Sequence, residues 1–163
     1  MSLRLALLLV ALAAPAPAAL TPRPVAPAGA AHRPPPPAAD TSAIRAMLDA
    51  QVAAWNRGDL EGFMQGYWRS DSLTFYSGGD VSHGWQAAHD RYVRRYRSEG
   101  REMGRLDFDL HAITLLAPGQ AVVRGGWALE LATGRPHGLF TLWLRCLPAA
   151  GWRIVHDHSS AAQ

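Results

Sequence analysis

After Gly104 the chain changes its hydrophobic period. Four apolar stretches follow, "RLDFDLHAITLLA", "QAVVRGGWALELA", "HGLFTLWLRCL" and "GWRIVHDHS". Alternation of apolar and polar residues at period two marks strands with one buried face. The breaks at Pro118-Gly119, Thr133-Gly134-Arg135-Pro136 and Pro148-Ala149-Ala150-Gly151 are turn chemistry. Links this short join antiparallel neighbours only. The second half of the chain is therefore a meander that must bury one face.

What covers that face comes earlier in the sequence. "DTSAIRAMLDAQVAAWNRGD" offers Asp40, Thr41 and Ser42 as N-caps and sets Ile44, Met47 or Leu48, Gln51 or Val52, and Trp55 on one helical stripe. Asn56-Arg57-Gly58 stops this helix, and Asp59 can cap a second short one, "LEGFMQGYW". "LTFYSGG" has strand propensity, and "HGWQAAHDRYVRRYRSE" aligns Trp85, Ala88 or His89, Tyr92 and Tyr96 as a third helix. Helices first and a long meander afterwards define an α+β domain over residues 41–160, with helices on one face of the sheet.

The N-terminal part has a different character. Residues 1–19 carry one early cation (Arg4), an apolar run from Leu5 to Ala14, and small residues at Ala16, Ala18 and Ala19. This is the layout of a secretory signal peptide cleaved after Ala18 or Ala19, with an apolar run too short to span a bilayer. The protein is expected to be exported, periplasmic or extracellular, and not inserted in a membrane after cleavage. Residues 20–40 are dense in Pro and Ala and read as an extended linker.

Charge points away from nucleic acid. All sixteen cations are arginine, and they face thirteen acids. Arg91, Arg94, Arg95, Arg97, Arg101 and Arg105 cluster, but Asp90, Glu99, Glu102 and Asp107 are interspersed, as on a solvated helix face. The single cysteine, Cys146, excludes an intrachain disulfide and, lying in an apolar strand pattern, reads as a core residue.

The stretches "AAWNRGDLEGFMQGYW", "LTFYSGG", "HGWQAAHDRYVRRY", "FTLWLR" and "GWRIVHDHSS" resemble, in this order and spacing, the NTF2-like superfamily, specifically its SnoaL-like and DUF4440 branch. The resemblance implies a strongly curved antiparallel sheet wrapped around the first helix, with a pocket inside the cone and a convex face that commonly forms a homodimer. The superfamily spans isomerases, dehydratases, cyclases, epoxide hydrolases, transport factors and assembly domains, so fold alone does not assign a reaction.

Strand alternation then nominates site residues. Phe140, Leu142, Leu144 and Cys146 form an apolar face that should look inward, opposite Thr141, Trp143 and Arg145. On the last strand Trp152, Ile154, His156 and His158 share one side, and the family's register turns His156 and His158 into the cone. Asp157 is thereby expected to face out. Three readings stand for the histidine pair: satisfied polar residues at the cone mouth, an acid–base pair, or two metal ligands lacking a third. Tyr76 and Tyr67 would orient a substrate or stabilise an oxyanion beside them. Trp55, Trp68, Tyr92, Trp127, Phe140 and Leu142 are expected to line a pocket for a small hydrophobic or amphipathic ligand. The ketosteroid isomerase constellation is absent, since its base, tyrosine and protonated aspartate fall on Tyr76, Gln51 and Leu142. The resulting expectation is cofactor-free acid–base chemistry, namely isomerisation, dehydration or cyclisation. The alternative is a non-catalytic ligand-binding or dimeric assembly module.

Overall fold

The structure, a computed structural model, describes residues 37–162. The expected signal peptide and most of the expected linker lie outside the described residues. Helix α1 (Pro37–Asn56) begins inside the segment read as linker, because a proline at a helix start lacks only an N–H that the first turn leaves unbonded. Asp40, Thr41 and Ser42 therefore sit within the first turns rather than capping them. Asp40 instead accepts a hydrogen bond from Trp152 Nε1 (3.3 Å).

The stripe Ile44, Leu48, Gln51 and Trp55 is buried, which fixes the rotation of α1 against the sheet. Gln51, the one polar member, donates from Nε2 to the Phe63 carbonyl (2.9 Å). Asn56 ends the helix by pairing its amide with both backbone groups of Leu106 (2.7 and 3.0 Å). Gly58 then turns the chain at φ 77°. Asp59 caps α2 (Leu60–Met64) by accepting from the Gly62 N–H at 2.7 Å.

Strands β1 (Thr74–Ser77) and β2 (Asp80–His83) form a hairpin, followed by α3 (Trp85–Val93), which runs into a π-helical turn at Arg94–Ser98. The meander is β3 (Arg105–Ala117), β4 (Gln120–Glu130), β5 (His137–Leu147) and β6 (Gly151–Ala161). All six strands join one open sheet in the order β2-β1-β6-β5-β4-β3. The α+β architecture expected from the sequence is the one observed. One pairing departs from an all-antiparallel sheet: β1 lies parallel to β6, with Tyr76 opposite His158. These strands are separated by α3 and the whole meander, and so long a connection leaves strand direction free.

Irregularities bend the sheet. Register shifts occur at Leu110/Ala112 and Leu115/Ala117 on β3, and at Trp143/Leu144 between β5 and β6. On β6 Leu144 faces Ile154 and Trp143 faces His156, so Val155 is the extra residue of a bulge. The bulge sits where β6 changes neighbours. Ile154 exchanges hydrogen bonds with the segment after α2, accepting from Trp68 N and donating to Gly66 O (both 2.9 Å), whereas His156–Ser159 pair with β1.

Cys146 is exposed, against the expectation of a core thiol. It continues the face of Leu142 and Leu144 but lies at the end of β5, where its N–H donates to Gly119 O in the β3–β4 turn (2.9 Å). The buried face of β5 ends at Leu144, and even Leu147 after it is only half-buried.

Candidate functional site

The bulge decides which groups of β6 meet the interior. A single extra residue inverts the alternation beyond it, since the side-chain period of a strand is two. Trp152 and Ile154 point in as expected, but past Val155 the inward residues are Asp157 and Ser159. His156 and His158 look outward, which corrects the expectation that they face the cone. Asp157, expected to face out, is 4% exposed and lies in the wall of a cavity of about 480 Å³.

The cavity is aromatic on its helical side. Trp55 packs edge-on against Phe63 (ring centroids 5.0 Å apart) and Tyr96 (4.9 Å), and Tyr92 stacks with Tyr96 at 6.1 Å. Across the sheet, Phe108 and Phe140 meet at 5.2 Å, with Leu142, Trp127 and Ile154 continuing the wall. Of the residues expected to line a pocket, Trp55, Tyr92, Trp127, Phe140 and Leu142 do so, and Trp68 does not. The short bridge between Tyr67 and Ile154 turns Tyr67 inward and so sends its neighbour Trp68 to the other side.

At one end the apolar lining gives way to a polar cluster. Tyr67 Oη donates to Asp157 Oδ2 (2.8 Å) and Ser159 Oγ donates to Asp157 Oδ1 (2.7 Å). Burial raises the Asp157 pKa to about 6, against the lowering effect of the Ser159 and Tyr67 hydrogen bonds and of His158. Burial, and then the nearby Asp157 charge, raise the pKa values of Tyr67 and Tyr92. Both phenols therefore stay protonated donors at neutral pH. A carboxyl poised between its two states, beside neutral donors in a largely apolar chamber, is equipped to give or take a proton.

The other nominated residues meet on the outer face. Tyr76 lies edge-on to His156 (5.1 Å) and to His158 (6.0 Å), and Thr74 Oγ1 shares a hydrogen bond with His156 Nδ1 (2.6 Å). Alternation along β1 sends Phe75 and Ser77 inward and leaves Thr74 and Tyr76 outside. Burial and the neighbouring His158 lower the His156 pKa. Among the described residues no group of three or more His, Cys, Asp or Glu is arranged to hold a metal ion.

Sequence reasoning missed Asp157, Ser159 and three arginines, Arg91, Arg95 and Arg101, that also line the cavity. For Asp157 a signal was present. Ile154 and Val155 are two successive apolar residues, both buried, which a regular half-buried strand does not contain.

A curved sheet holding an apolar chamber against its helices defines the cone-shaped scaffold of the NTF2-like superfamily. The SnoaL-like domain profile matches residues 44–163, and the chain belongs to the SnoaL-like domain family. Among solved structures it is similar to an NTF-2-like protein of unknown function from Shewanella oneidensis MR-1. The two share 37% identity over 74% of this chain and 98% of that one, with a TM-score of 0.69. A domain of unknown function with a cystatin-like fold from Nostoc punctiforme PCC 73102 aligns at 22% identity and TM-score 0.64, covering 77% of this chain and 78% of that one. A ketosteroid isomerase-like protein from Erwinia carotovora atroseptica SCRI1043 aligns at 18% identity and TM-score 0.60, covering 75% and 95%. The last two show likeness of fold alone. No curated protein matches the sequence.

Proposed function

We propose that the protein binds a small, largely apolar molecule inside the cone and moves a proton on it through Asp157. The observation that carries this reading is the placement of a buried carboxyl, with a pKa of about 6, at the polar end of an aromatic cavity. A cavity of about 480 Å³ is of ligand size, which favours a pocket over a module filled by its own side chains. In the ionised state Asp157 takes a proton from carbon next to an electron-withdrawing group and returns it at another position, or to a leaving hydroxyl. Tyr67 and Ser159 hold the carboxyl in place, and the Tyr92 phenol is a donor for a developing oxyanion. The reaction class is isomerisation, dehydration or cyclisation without an organic cofactor.

Proton transfer is testable without knowing the full reaction. A panel of cyclic and aromatic ketones is incubated with the protein in D2O, and deuterium uptake at acidic C–H positions is followed by NMR. Uptake above background that is lost in Asp157→Asn supports the assignment. Bound ketones that exchange no faster than in buffer contradict it and leave a pocket that holds its ligand unchanged.

Two further parts of the proposal concern the setting of the domain. Export is supported by the signal-peptide layout of residues 1–19, and the N-terminal sequence of mature protein recovered outside the cytoplasm tests it. A homodimer through the outer sheet face is supported by Leu139 and Trp143, which stand 59% and 43% exposed there. Sedimentation of the mature domain as a strict monomer at micromolar concentration would sink it.

A further inference from the structure

Most of the arginines read as a solvated face are exposed, Arg94, Arg95, Arg97, Arg101 and Arg105 among them, and Arg91 is half-buried, but three of the cluster also border the cavity. Arg91 and Tyr92, and Arg95 and Tyr96 one turn later, all line the cavity, and Arg101 joins them from the segment that follows. The same three arginines also line an open groove outside, bordered by Asp80, His83 and Glu99. They therefore stand at the mouth, between chamber and solvent.

Their charge is only partly answered. Arg91 approaches the largely exposed Asp80 at 3.4 Å, and Arg101 pairs with Glu99 at 3.1 Å. Arg95 lies over the Tyr96 ring at 5.7 Å and has no carboxylate partner among the described residues. Glu102 shares the lining, but its Oε2 accepts from the Ala132 N–H at 3.1 Å. Asp157, the other carboxyl of the lining, is buried in the chamber wall and disfavours a second anion beside it.

We propose that the ligands of this cavity are amphipathic anions, with an aromatic or alicyclic body in the chamber and an oxyanion headgroup on Arg91, Arg95 and Arg101. The inference rests on the ligand-binding half of the function proposed above and adds substrate class and direction of entry. The body enters first and reaches Asp157, and the headgroup stays at the mouth. Arginine suits this role because its planar fork donates two hydrogen bonds to one oxyanion.

Two fluorescent probes with the same aromatic body test this on the full chain: anilinonaphthalene sulfonate, and N-phenylnaphthylamine, which lacks the sulfonate. The sulfonate is expected to bind about tenfold more tightly, the scale of one charge-assisted hydrogen bond. That preference should collapse in Arg95→Gln, return in part in Arg95→Lys, and shrink with added salt. Equal affinity of the two probes overturns the anion preference while leaving the cavity reading intact. If neither probe binds, the cavity reading fails and the proposal with it. A sulfonate probe that N-phenylnaphthylamine does not displace sits outside the chamber, and this too overturns the proposal.

Discussion

Strand β6 presents ionisable groups on both of its faces. Asp157 and Ser159 look into the cone, whereas His156 and His158 look out beside Tyr76 and Thr74. Imidazole has the more suitable intrinsic pKa, near 6.5, and a carboxyl ordinarily titrates well below neutrality. Enclosure reverses that ranking. Burial brings Asp157 up to about 6 inside an apolar chamber, while His156 is half-buried, His158 is exposed and neither lines that chamber. An acid–base group is identified by the space it faces as much as by its chemistry.

The largest expected difference between the faces is in turnover. Asp157→Asn should lower deuterium exchange by about 10²- to 10⁴-fold, the usual worth of a positioned acid or base. The double variant His156→Gln/His158→Gln should exchange at the parent rate. A reversed pattern, measured by the same NMR assay, would move the chemistry to the outer face and break the comparison.

Next in size is a stability difference that depends on pH. The folded-state pKa of Asp157, about 6, stands above its ordinary value of 3.8. Its contribution to stability is therefore full below about pH 4 and lost as pH rises through about 6. Asp157→Asn keeps acceptor and donor positions for Tyr67 and Ser159 but carries no charge. Urea unfolding should find the variant gaining on the parent by about 2 kcal/mol between pH 4 and pH 8. Parallel stability curves would mean that the carboxyl is solvated.

A smaller effect sharpens the inner face alone. Tyr67→Phe removes one of the two donors to Asp157, so the carboxyl pKa should rise by about one further unit. The ¹³C shift of the carboxyl reports this, and an unchanged midpoint would show that the hydrogen bond does not hold the carboxylate. The smallest effect concerns Cys146, whose exposed thiol should react with a disulfide reagent in the folded protein as fast as in urea. Protection in the folded state would place it under a covering surface.

Much of the scaffold was legible because its determinants are local. The stripe on α1, the stop at Asn56-Arg57-Gly58, the cap at Asp59 and the turns of the meander each depend on a few neighbouring residues. The aromatic lining followed from the same patterns, since Trp55, Tyr92, Phe140 and Leu142 lie on regular stretches. What failed depended on long-range pairing. The phase of β6 beyond Ile154 is set by an exchange of neighbours, from the segment after α2 to β1, that no period within β6 encodes. Likewise, a helix period can show that Arg91 and Arg95 share a face, but not that this face overlooks a cavity mouth.

The central claim is that the working face of β6 is the inner one, and NMR on a single sample tests it most directly. The carboxyl of Asp157 and the imidazole of His156 are titrated with and without N-phenylnaphthylamine in the cavity. The account predicts that Asp157 titrates near pH 6 in the free protein and shifts its midpoint upward when the probe excludes water, with His156 unmoved. A His156 midpoint that shifts on binding, beside an Asp157 that titrates below pH 4.5 and ignores the probe, would contradict it.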